Sequence, residues 1–172
     1  KSLMPTGWDD VIGGDGMEAI LHPSDEAILF GSSQYGRIYS SFDTGASYDY
    51  YFTYDIWANE EGAWTTPYWL NPNDDNHLIT GHGQVYQTKN IGGFWSPISN
   101  FNNVPELGQP QVSSALKVIP NNPDIIYVAK RLYHSLGLPS QMFYTKDGGT
   151  NWSNITAGLP DSLFFTSIDQ NS

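Results

Sequence analysis

The sequence predicts an all-β fold made of a repeated unit of four short antiparallel strands. Three observations carry that prediction. First, an eight-residue pattern occurs at 41–48, 88–95 and 145–152: a hydroxyl residue, an Asp or Asn two positions on, a Gly four on and an aromatic seven on. A pattern returning at such intervals marks a repeat architecture. Second, short runs of β-branched and aromatic residues alternate with Gly, Pro, Asn and Asp clusters, at the roughly 8- to 12-residue spacing of an all-β repeat. Third, aromatics make up 15% of the 172 residues, alongside 17 Gly and 11 Pro, a profile of ring-rich strands and tight turns.

Each unit has the same order. In the first, strands are expected at 17–21, 27–30 and 36–40, with a Pro-containing turn at 22–25. In the second they fall at 64–70, 77–80 and 83–86, with the turn at 71–75, and in the third at 113–119, 125–128 and 141–144, with the turn at 120–124. A fourth unit opens at 164–168. With one more strand after each eight-residue box, four strands per unit is the arithmetic of a β-propeller blade. The expectation is one partial propeller over 1–172: three antiparallel blades at about 13–53, 63–99 and 111–158, and the first strand of a fourth at about 163–172.

The boxes read as structural. Ser41, Asp43, Gly45 and Tyr48 form the first; Thr88, Asn90, Gly92 and Trp95 the second; Thr145, Asp147, Gly149 and Trp152 the third. A short carboxylate or amide opening a turn accepts hydrogen bonds from backbone N–H groups two or three residues on, and the Gly supplies a positive φ. The aromatic then returns to the blade.

This hydroxyl, Asp, Gly, aromatic pattern resembles the Asp-box, or bacterial neuraminidase repeat, of sialidases, sortilin-type luminal domains and xyloglucan-cleaving hydrolases. The opening Gly13-Gly-Asp-Gly16-Met-Glu18, with Pro23 and Gln34-Tyr-Gly36, is similar to large exported Bacteroidetes-type surface proteins. The resemblance covers about residues 11–169, although the first box ends in Tyr48 and the second has Asn90 for Asp. It implies a propeller of six to ten blades, of which this chain is a segment. It also implies a secreted or cell-surface location and, as partners, the remaining blades or another chain. Three blades alone would leave apolar outer faces unsealed.

Composition excludes several functions. Eighteen acidic against seven basic residues give a net charge of −11, the wrong balance for a phosphate backbone, so no nucleic-acid partner is expected. No apolar run approaches the roughly 20 residues of a membrane span. Any export signal is expected upstream of Lys1. With no cysteine, disulfides and thiolate chemistry are absent. The four histidines show no metal-ligand spacing, and the Asn and Asp of 73–76 and 121–124 belong to turns, so no metal and no cofactor is expected. Only two arginines occur, Arg37 and Arg131, too few for the arginine triad the sialidase resemblance would require.

Function is therefore sought in the loops and linkers, which a rigid scaffold uses for recognition. Gln34, Tyr35, Trp57, His82, Tyr133 and His134 supply flat rings and hydrogen-bonding groups, suited to binding glycan or protein. For catalysis the candidates are Asp15 and Glu18, where the first strand begins. A glycoside hydrolase needs two carboxylates about 5 to 9.5 Å apart. Three residues apart on an extended strand, these would point to opposite faces about 10 Å apart, so a bulge at Gly16 would be required. The first reading is a binding module that is not itself an enzyme. The alternative is part of a glycoside hydrolase that shares its carboxylates with other blades.

Overall fold

A computed structural model of the chain describes residues 12–101, 111–132, 140–159 and 165–169. They form three separate antiparallel sheets. In the first, β1 (Gly16–Leu21), β2 (Leu29–Ser33) and β3 (Arg37–Ser41) lie side by side, and Asp49 bridges Ser40 where a fourth strand would run. A single helical turn, α1 (Tyr54–Trp57), lies in the link to the next unit. The second sheet is β4 (Tyr68–Leu70), β5 (Leu78–Gly81), β6 (Val85–Thr88) and β7 (Ser96–Pro97). The third is β8 (Gln111–Ile119), β9 (Asn122–Leu132), β10 (Gln141–Thr145) and β11 (Ser153–Asn154).

Local departures have local causes. The strand expected from 64 begins only at Tyr68: Pro67 has no N–H for a ladder, and Thr66 turns its hydroxyl back onto the Ala63 carbonyl at 2.8 Å. Strand β9 starts at Asn122, not 125, because the chain reverses in a tight turn at 120–121. Residues 165–169 form no strand, yet they lie along β8. There the Ser114 hydroxyl donates to the Phe165 carbonyl at 2.7 Å, and Lys117 meets Asp169 at 3.1 Å.

The core sits between sheets. Phe30, Ile38, Phe52, Tyr68, Leu70 and Leu78 fill the space between the first and second units. Ile79, Val85, Phe101, Val118, Ile126 and Val128 fill that between the second and third. Leu78 and Ile79 are neighbours on β5 and enter opposite cores, as side-chain alternation on a strand requires. The middle sheet is thus apolar on both faces, while Leu21 (72% exposed) and Ile155 (37%) show apolar surface that no described residue covers.

The three boxes share one hydrogen-bond pattern. The box hydroxyl accepts the Gly N–H four residues on: Ser41 from Gly45 at 2.9 Å, Thr88 from Gly92 at 3.0 Å and Thr145 from Gly149 at 3.1 Å. It donates to the Asp or Asn oxygen at 2.8 Å in each. That oxygen accepts the N–H four positions on, from Ser47, Phe94 and Asn151, not two or three on as the sequence suggested. The hydroxyl takes the earlier amides, so the carboxylate or amide oxygen spans the wider loop. In Asn90 an amide oxygen does this as well as a carboxylate does.

The box aromatics join neighbouring units. Trp95 donates its indole N–H to the Phe52 carbonyl at 2.9 Å, and Trp152 does the same to Ile98 at 2.7 Å. Gly92 (φ +90) and Gly149 (φ +91) lie against these same links, and a Cβ there would collide with the Phe52 ring or the Ile98 carbonyl. Gly45 (φ +79) meets only side chains of its own unit, no closer than 3.2 Å.

Candidate functional site

A cleft of about 570 Å³ opens where the first strands of the units converge, with the 166–168 segment on its remaining side. Two irregularities shape it. Strand β1 shifts register between Gly16 and Ala19, and β8 between Ser113 and Ala115. Such bulges re-aim side chains and recur beside binding sites. Among the residues they displace, Glu18 and Ser114 line the cleft.

Glu18 is held at its backbone from two units. Its N–H donates to the Ser32 hydroxyl at 3.1 Å, and its carbonyl accepts from the Tyr68 hydroxyl at 3.0 Å. Its side chain forms no ion pair among the described residues. Desolvation in the cleft pushes the carboxyl above its ordinary range. Burial, then the Glu18 charge, raises the Tyr68 phenol, which therefore stays a donor at neutral pH.

The wall between the first and second units is Trp64, half exposed at 46%. Its position is set from behind. The Tyr35 ring meets it edge-on at 5.2 Å, the Tyr35 N–H donates to its carbonyl at 3.4 Å, and Gly62 N–H returns to the Tyr35 carbonyl at 3.1 Å. Tyr35 holds a left-handed φ of 66° to do so. Strain of this kind costs on the order of 1–3 kcal/mol and persists where the surroundings fix it. Arg131, near the end of β9, faces the cleft from the third unit.

The sequence candidates are dispersed. Glu18 lines the cleft and Tyr35 braces its aromatic wall, whereas Asp15 is not in the lining; its N–H is taken by Gln34 Oε1 at 3.0 Å. The bulge that Asp15 and Glu18 required is present, yet it brings only Glu18 to the cleft. Trp57 lies under the Arg37 guanidinium at 5.0 Å and against Tyr54, away from the lining. His82 is fully buried, wedged against Gly36, and presents no surface; burial drives its pKa down to about 3. Tyr133 and His134 lie outside the described residues. Sequence reasoning missed Trp64, Ser114 and Arg131. The sequence places Trp64 in a strand and Ser114 in a regular one, and the bulge in β8, unlike the one at Gly16, has no sequence signature.

A second hollow, about 600 Å³, lies at the β1–β2 turn. There His22 Nδ1 accepts the N–H groups of Ser24 and Asp25 at 3.4 and 3.1 Å, a turn-forming role that leaves no free ligand atom on that side. Among the described residues, no three His, Asp or Glu side chains converge as metal ligands would.

No protein-family model matches the chain, and no curated protein does. Solved structures do match. An ancestral GH74 enzyme superposes with a TM-score of 0.57 at 16% identity, over 88% of this chain and 20% of its own. The GH74 xyloglucanase from Xanthomonas campestris also gives 0.57 at 16% identity, over 81% of this chain and 21% of its own. Both are β-propeller proteins. The likeness shows the fold: the chain is all-β and propeller-like, and it spans about a fifth of the length of these neighbours.

Proposed function

We propose that the chain is an Asp-box propeller module of a secreted or cell-surface protein, and that it binds glycan in the cleft between its first strands. One observation carries this reading: a half-exposed tryptophan, Trp64, stands beside a carboxylate, a guanidinium and hydroxyls in a cleft large enough for two or three sugar rings. Apolar sugar faces stack on such a ring, and the polar groups take the hydroxyls. The remaining blades of a longer propeller complete the module. Retention of the chain on immobilised plant and bacterial polysaccharides tests this. Binding lost in Trp64→Ala and kept in Trp57→Ala supports the cleft; equal loss in both, or no retention on any glycan, sinks it.

A second reading, part of a glycoside hydrolase, is favoured by the raised pKa of Glu18, the property of a general acid. Glu18 is the one carboxylate among the lining residues, so the second acid would come from another blade. Reducing-end release by the full-length protein that falls at least a hundredfold in Glu18→Gln supports this reading; full activity in that variant excludes it.

A further inference from the structure

We propose that the glycan bound in this cleft carries carboxylates, and that Arg131 is the group that seats them: the site is built for a uronic-acid-containing saccharide. The inference rests on the reading of the cleft as a glycan site.

Its first support is the unusual state of Arg131. The chain has eighteen acidic residues and seven basic ones, so carboxylates outnumber the cations that could pair with them. The ion pairs among the described residues are His22 with Asp75 and Lys117 with Asp169. The other arginine, Arg37, is laid over the Trp57 ring. Arg131 has no such partner among the described residues. Even Glu18, which lines the same cleft, does not come within ion-pairing distance of it.

Charge distribution is the second support. The chain as a whole carries −11, but the cleft lining holds one acid and one base, Glu18 and Arg131. The cleft is thus neutral inside an acidic molecule. Screening over about 8 Å at physiological salt limits how far the remaining carboxylates repel an anion at this point.

The third is geometric fit. Guanidinium offers a planar fork of N–H donors that meets a carboxylate through two parallel hydrogen bonds. A neutral sugar would leave that charge without a counterpart. In a uronate the carboxylate is attached to the ring whose face stacks on an aromatic, so Trp64 and Arg131 can be used by one residue or by adjacent ones. Glu18 is left to accept hydrogen bonds from sugar hydroxyls, a role that does not compete for the ligand's anion.

Calorimetric titration of the full chain with trigalacturonate and with cellotriose, at pH 7 and two salt concentrations, tests the proposal. Trigalacturonate is expected to bind at least tenfold more tightly, with the advantage shrinking as salt rises. Arg131→Met is expected to bring trigalacturonate down to the level of cellotriose, and Arg131→Lys, which keeps the charge without the fork, to retain part of the preference. Equal affinity for the two sugars overturns the proposal while leaving the glycan site standing, as does a preference that survives Arg131→Met in a variant whose melting temperature matches the parent. A sulfated trisaccharide that outcompetes trigalacturonate overturns the assignment to a carboxylate. Binding of none of the three overturns both the glycan reading and this one.

Discussion

The indole N–H of Trp152 donates to the carbonyl oxygen of Ile98 at 2.7 Å, so the aromatic that closes the third box is tied to the chain leaving the second sheet. Trp95 repeats the joint one unit earlier, on Phe52. The box is therefore a clamp between units as well as a turn within one. Losing the donor leaves a shielded carbonyl without its partner, which costs about 1–3 kcal/mol. Trp152→Phe should lower stability by that amount in denaturant titrations, and a change below a few tenths of a kcal/mol would contradict the clamp.

The glycines of the clamp should not be equivalent. Gly149→Ala meets both an unfavourable φ and the Ile98 backbone, whereas Gly45→Ala meets the φ alone with side chains that can yield. The φ penalty is about 1–2 kcal/mol. Gly45→Ala should cost about that much, and Gly149→Ala distinctly more. Equal midpoint shifts for the two variants would show that the contact at Gly149 carries no weight.

Acid should act on the boxes. The Ser47 hydroxyl, then its amide and the Ser41 hydroxyl, hold Asp43 at about 2; the Asn151 side chain, then its amide and the Thr145 hydroxyl, hold Asp147 at about 2. Both values lie below the ordinary 3.8, so the unfolded chain binds protons first. Their contribution is present above about pH 4 and is lost as pH falls toward 2. Asp147→Asn should remove its share of this acid sensitivity yet keep the turn, as Asn90 does. Unaltered acid unfolding in Asp43→Asn combined with Asp147→Asn would be the contrary result.

Lys130 should act at alkaline pH, as a cost of burial that is relieved when the amine loses its proton. Its ammonium is buried between units, donates to the Gly83 carbonyl and lies 4.9 Å from the centre of the Phe101 ring. Burial lowers its pKa from 10.5 to about 7, against a smaller opposing effect of Glu60; His82, the other titratable group facing it, is held neutral by burial. Between pH 7 and 10.5 the unfolded chain keeps a proton that the folded one has released, so stability rises with pH across that window. The slope approaches about 1.4 kcal/mol per pH unit. Lys130→Met should flatten it, and a parent profile already flat from pH 7 to 10 would show that the amine stays charged in the fold.

Repetition made the fold legible. Three copies of a box with fixed offsets, and short apolar runs such as Leu78-Ile79 between turn residues, identify the sheets without tertiary information. The site was less legible because it depends on irregularity. Glu18 reaches the cleft only through a bulge in β1, Ser114 only through one in β8, and Trp64 is freed from the ladder by Pro67. Tyr35 reads in the sequence as a loop ring for ligand but works from behind, bracing Trp64. His82 sits in a loop by sequence and in the core by structure, because a glycine at 36 lets its ring settle against the backbone of the preceding unit.

The six tryptophans give the sharpest view of where ligand binds. Trp64 lines the cleft, Trp57 stands apart from it under Arg37, and Trp95 and Trp152 are committed to inter-unit hydrogen bonds. Following the indole N–H resonances of the full chain during titration with an oligosaccharide should move the Trp64 signal and leave those of Trp57, Trp95 and Trp152 in place. Movement of Trp57 with Trp64 unmoved would place recognition on the loops and contradict a binding cleft between the first strands.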